Sequence, residues 1–149
     1  MLRMRVRDGT EQSSPVSSFI KHPKYNADAA GYPNDIAVLR LQTSMDTSRP
    51  AVGTISLASG GKDYAGQTAT ISGWGLSAGG STLNYLQKAN MTVLTNSDCS
   101  SRWSGISGTS INDGHICIDA SGRSACSADG GGPLVYNGTL VGIMSWNNF

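Results

Sequence analysis

Short stretches in which apolar and polar residues alternate run through this chain, and each is cut off by glycine, serine, threonine or proline. A period of two is the pattern of a strand with one face in water. The residues between the stretches are turn formers that compete poorly for helix interiors. Gly alone accounts for 19 of the 149 residues, nearly twice its usual share of about 7%. Those features exclude a helix-rich fold and predict an all-β protein.

Leu2, Met4 and Val6 alternate with Arg3, Arg5 and Arg7, which predicts a strand with a solvated basic face. Val16 to Ile20 predicts a second strand, ended at His22-Pro23 because proline cannot donate to a ladder. Ile36 to Leu41 is almost continuously apolar, and a strand buried on both faces is expected there. From Gln42 to Gln67 the pattern dissolves into Ser, Thr, Gly, Pro and Asp, the composition of a connection between two units. Further strands are expected at Thr68 to Ser72, Leu86 to Thr95, Ile116 to Ile118, Leu134 to Tyr136 and Leu140 to Ser145. In the second of these Ala89, Met91 and Val93 form the apolar side. One helix is expected at Asn96 to Trp103, with Asn96 or Ser97 capping its first turn.

A formal charge of +1 and a pI near 7.7 give no electrostatic footprint for nucleic acid or a membrane surface. No apolar run approaches the roughly 18 residues of a membrane span. Arginines interrupt the opening segment, which therefore does not read as a secretion signal. Two distant histidines and three cysteines without close-pair spacing form no metal-ligand set, and no cofactor is implied. The cysteine number, Cys99, Cys117 and Cys126, is odd. In an extracellular protein that means a free thiol, an intermolecular bridge or a partner beyond the chain. Asn90-Met91-Thr92 and Asn137-Gly138-Thr139 fit the N-glycosylation pattern and favour the extracellular setting.

Three stretches carry the chemistry: Asn34-Asp35-Ile36-Ala37-Val38-Leu39-Arg40-Leu41; Ile71-Ser72-Gly73-Trp74-Gly75; and Cys126-Ser127-Ala128-Asp129-Gly130-Gly131-Gly132-Pro133-Leu134-Val135, followed by Ser145-Trp146. In order and spacing, from about Leu2 to Trp146, the chain resembles the chymotrypsin and trypsin family of serine endopeptidases. The resemblance implies two antiparallel β-barrels with a catalytic cleft between them, where serine attacks a peptide carbonyl, histidine takes its proton and aspartate orients the histidine. It assigns the aspartate to Asp35.

The same resemblance exposes departures. The family's Ala-Ala-His-Cys segment has no counterpart in this chain. His22 and His115 match other family segments and are expected to be structural or solvent-facing. The family's Gly-Asp-Ser-Gly-Gly-Pro reads Ala128-Asp129-Gly130-Gly131-Gly132-Pro133 here, so Gly130 occupies the nucleophile position. No Gly-x-Ser-x-Gly elbow occurs elsewhere. The oxyanion-hole donors map to the backbone N–H groups of Ala128 and Gly130. Alanine at 128 puts that geometry in doubt, because the family glycine marks a backbone angle a Cβ disfavours. Ser124 maps to the floor of the specificity pocket, and a neutral floor implies large apolar or aromatic side chains. Ser145 and Trp146 map to its wall, with Asn147 where wide pockets have glycine. Asp129 maps to the residue that pairs with the N-terminal amine freed by zymogen cleavage.

The resemblance also pairs Cys99 with Cys117 and leaves Cys126 as half of a bridge, while Ala69 and Tyr136 occupy the positions of a further family disulfide. The expectation is one peptidase-type domain, with residues 1–57 a partial N-terminal barrel and the start of the connection. Residues 58–149 are expected to form a C-terminal barrel lacking its last strand and terminal helix. The chain is expected to be secreted, to meet a polypeptide substrate or protein ligand, and to be inactive as it stands. The alternative is a non-catalytic homologue that binds a protein or peptide.

Overall fold

The computed structural model describes residues 9–76, 80–81, 84–120, 122, 125 and 127–147. The expected strand at Leu2 to Val6, and Ser124 and Cys126, lie outside the described residues. Among the described residues eight strands and one helix follow one another: β1 (Val16–Lys21), β2 (Ala37–Leu41), β3 (Ser56–Leu57), β4 (Thr68–Gly73), β5 (Gln87–Val93), α1 (Asn96–Trp103), β6 (Ile118–Asp119), β7 (Pro133–Tyr136) and β8 (Thr139–Ile143). The regular structure of the described residues is therefore mostly strand, with one short helix. β1 and β2 form an antiparallel pair, and the other six strands form one sheet in the order β3-β8-β7-β4-β5-β6.

The core lies on one face of the larger sheet. Ala69 and Ile71 of β4, Met91 and Val93 of β5 and Leu134 of β7 are all buried. They meet because the ladders set Ala69 opposite Met91, Ile71 opposite Ala89, and Ile71 opposite Leu134. Alternation in β5 puts Met91 and Val93 inside while Asn90 and Thr92 face water. The β4–β7 register, continued by one residue, faces Ala69 with Tyr136, the two positions to which the resemblance assigns a further disulfide. In its place the Tyr136 hydroxyl donates to Gln67 Oε1 at 2.9 Å, and the Tyr136 ring packs edge-on against Tyr64 at 5.7 Å.

Helix α1 covers the expected residues, but its cap is Thr95 and not Asn96 or Ser97. Thr95 has extended backbone angles, and its hydroxyl accepts from the Asp98 N–H at 3.0 Å. Asn96 already lies inside the helix and donates its amide to the Asn112 carbonyl instead. The Cys99–Cys117 disulfide, with Cα atoms 6.2 Å apart, ties α1 to the segment entering β6. Arg102 pairs with Asp119 across the same loop.

A second expectation fails. The run from Ile36 to Leu41 is not buried on both faces: Val38 is 63% and Leu39 60% exposed, and Phe19 and Ile20 on β1 are each 65% exposed. β1 and β2 pair only with each other, and among the described residues no third strand covers either face. An apolar run marks a strand that can be buried, and burial then requires layers on both sides. The stability of the described fold accordingly draws little from these side chains. Val38→Thr and Leu39→Thr together are expected to change the unfolding free energy by no more than about 0.5 kcal/mol while raising solubility. A denaturant titration with light scattering checks both.

Candidate functional site

The sharp turn before β2 positions Asp35. Gly31 has φ 76°, Tyr32 46° and Asn34 61°, so three of the four residues ahead of the aspartate are left-handed. An aromatic residue there costs on the order of 1–3 kcal/mol and persists only when its surroundings hold it. The surroundings do. The Asn34 side-chain amide donates to the Lys24 carbonyl at 3.0 Å, and the Ile36 N–H donates to the Asn34 carbonyl at 2.8 Å. The Gly31 N–H donates to the Gly108 carbonyl at 3.1 Å. The Gly31 carbonyl accepts two bonds, from His115 Nε2 at 2.7 Å and Trp146 Nε1 at 3.1 Å.

His115 is thereby committed to a structural task. Its Nδ1 accepts from the Asn112 N–H at 3.1 Å, which places the ring proton on Nε2, facing Gly31. Trp146 is enclosed edge-to-face by the rings of Trp103 at 4.7 Å, His115 at 5.9 Å and Tyr32 at 6.5 Å. This cluster clamps the loop before Asp35 onto the segment after β8. His22 bonds locally: its Nδ1 accepts from the Lys24 N–H at 3.2 Å.

The clamp brings Ser145 to Asp35. The Ser145 hydroxyl donates to Asp35 Oδ2 at 2.6 Å, joining residues 110 positions apart. Asn147 donates its side-chain amide to the Ala125 carbonyl at 3.0 Å, which anchors the segment after Trp146. Asp129 accepts the Gly75 N–H on Oδ1 at 2.8 Å. Its carboxylate sits so close to Gly73 and Gly75 that a Cβ at either position would run into it. The Ser-Gly-Trp-Gly stretch is thus a socket for Asp129. Nearby, the Leu76 N–H donates to the Ser127 carbonyl at 3.0 Å.

Ala128 has φ 75°, in the left-handed region where a Cβ costs roughly 1–2 kcal/mol. Gly130 has no positive φ, and a Cβ built on it meets nothing within 4 Å. Both line an open cleft of about 1460 Å³, together with Asp35, Asp129, Ser145, Trp146 and Asn147. The structure so gathers every described residue named from the sequence for catalysis or the pocket. His115 is structural, as expected, and what sequence reasoning missed is the rest of the holding apparatus: Gly31, Tyr32 and Trp103. Trp103 and Trp146 were the signal for it, because large aromatic rings must find packing partners.

The clamp gives a direct prediction. Gly31→Ala adds a Cβ that collides with the Ser110 carbonyl oxygen and strains a φ of 76°. Left-handed strain and overpacking together cost about 2–4 kcal/mol, so the loop is expected to detach and tryptophan emission to change. Gly60→Ala, where a Cβ meets open space, is the control expected to leave emission unaltered.

Comparison with known proteins identifies the family. The family model described as Trypsin matches residues 2–149. A chymotrypsin-like serine proteinase of Haliotis rufescens is 56% identical over 98% of this chain and 58% of its own length. The fibrinolytic enzyme isozyme C of Lumbricus rubellus is 40% identical over 91% of this chain and 58% of its own length. Among solved structures, neuropsin, a serine protease expressed in the limbic system of mouse brain, superposes with a TM-score of 0.80 and 34% identity. It matches 91% of this chain and 60% of its own. The chain thus spans about three-fifths of the length of these relatives, and its strands take up part of the two-barrel chymotrypsin-like fold. The Trypsin model matched along nearly the whole chain, together with these relatives and the shared fold, makes this chain a member of the trypsin family of serine proteases.

Proposed function

We propose that the protein carries the polypeptide-binding cleft of a secreted serine endopeptidase without its nucleophile, and so does not hydrolyse peptide bonds. One observation carries this reading: the residue between Asp129 and Gly131, in the loop that lines the cleft with Asp35, is Gly130. A hydrogen in place of a hydroxymethyl group leaves nothing to attack a carbonyl, and triad members act as a unit. The Cys99–Cys117 bridge suits an oxidising compartment. Among the described residues no helix is long and apolar enough to cross a membrane. Incubation with aromatic and basic chromogenic amides beside a serine-directed fluorophosphonate tests the reading. Turnover together with labelling refutes it.

A second reading is favoured by the cleft itself, which remains open while its wall is held by the Trp146 cluster. In that reading the protein is a non-catalytic homologue whose ligand is a protein or peptide. A sharp, cooperative thermal transition that a bound peptide raises supports it; a broad melt that no peptide shifts counts against it.

A further inference from the structure

We propose that Asn137 carries an N-linked glycan whose first sugar seats in the cavity beside it, and that Asn90 carries none. Asn137 and Gly138 are the two central residues of the turn joining β7 to β8, and Tyr136 pairs with Thr139 on either side. Their φ values, 45° and 73°, are both positive, which defines a type I′ hairpin turn. Both residues are exposed, and a Cβ built on Gly138 meets nothing within 4 Å. The acceptor amide therefore stands on a projecting tip with open space around it.

The space next to it is shaped for a sugar. A cavity of about 390 Å³ is lined by Asn137 and Thr139 of the acceptor triplet together with Tyr64, Tyr136, Gln67 and Lys62. N-Acetylhexosamines have an apolar C–H face and a hydroxyl rim. Two tyrosine rings 5.7 Å apart offer the apolar surface, and Lys62 and Gln67 offer hydrogen-bonding groups at its edge. The bond from the Tyr136 hydroxyl to Gln67 fixes one ring in advance of the ligand. Asn90 lies in a different setting. It sits mid-strand opposite Thr70, its Oδ1 accepts from the Thr70 hydroxyl at 3.1 Å, and it lines neither this cavity nor the cleft.

In the transfer the Asn137 Nδ2 forms a bond to the anomeric carbon of a lipid-linked oligosaccharide diphosphate. The bond from that carbon to the phosphate oxygen breaks, the lipid diphosphate leaves, and one Nδ2 proton passes to a basic group of the secretory transferase. The Thr139 hydroxyl completes the recognised triplet.

The test is expression of the chain behind a signal peptide in insect cells, with a reporter acceptor triplet in a C-terminal tag. The parent and Asn90→Gln are expected to carry one endoglycosidase-sensitive glycan beyond the reporter, and Asn137→Gln and Thr139→Ala the reporter glycan alone. Enzymatic release in heavy-oxygen water should label position 137 and not position 90. A glycosylated reporter beside unmodified Asn137, or a glycan on Asn90, overturns the assignment. With the glycan present, hydrogen exchange in peptides covering residues 62–67 and 134–141 is expected to slow several-fold, and Tyr64→Ala to remove that protection while leaving occupancy intact. Occupancy with unchanged exchange overturns the seat.

Discussion

A serine-directed fluorophosphonate is expected to leave this protein unlabelled, with amide turnover on the order of a million-fold below that of an intact relative, or about 8 kcal/mol of barrier. The size of the effect follows from the missing oxygen at Gly130, and it holds for the chain alone and for any longer protein that contains it. Gly130→Ser supplies the decisive comparison. A Cβ at this position meets nothing within 4 Å, so the substitution is expected to fold as the parent does, within about 0.5 kcal/mol. Neither described histidine is offered to that serine by a bond in the structure: His115 is committed to Gly31 and Asn112, and His22 to Lys24. In this chain the serine variant is therefore expected to stay unlabelled. In a longer protein that brings the family's histidine to Asp35, it should label and turn over. Labelling of the Gly130 protein at any length would sink the reading.

Replacing both Cys99 and Cys117 by Ala is expected to cost about 3 kcal/mol, the loop-closure effect of a bridge spanning 18 residues. Cys99 is fully buried, so a lost packing contribution adds to this. The consequence reaches the cleft, because the bridged loop carries Trp103, the 108–112 turns and His115, all of which hold Trp146 or Gly31. Loss of the bridge should lower the denaturant midpoint and alter tryptophan emission together. A lowered midpoint with unaltered emission would show that the aromatic clamp stands without the disulfide.

Much of the larger sheet was legible because its signals are local. Alternating Ala89, Met91 and Val93 face the core as their period requires. The strands expected at Leu134 to Tyr136 and from Leu140 onward are found as β7 and β8. The limits of α1 follow from its composition, yet the cap lies one residue earlier, at Thr95, because the residue that caps is the one the chain leaves extended. The burial of β2 was misread for a different reason. An apolar run states what a strand can bury against and says nothing of whether those layers are present; Val38 and Leu39 face solvent.

Residue identity alone determined the strand-rich class, the family and the glycine at position 130, because these depend on side-chain chemistry and short-range order. Only the tertiary structure decided what surrounds that glycine. The bond from Ser145 to Asp35 joins residues 110 apart, the Gly31 carbonyl gathers donors from two distant segments, and Asp129 finds its socket at Gly73 and Gly75. Such contacts leave no periodic trace in the sequence, since each is made by single residues whose neighbours in the chain belong to other elements. They form when the strands and turns that carry them are packed, and that packing turns a glycine-rich loop and a lone aspartate into one cleft.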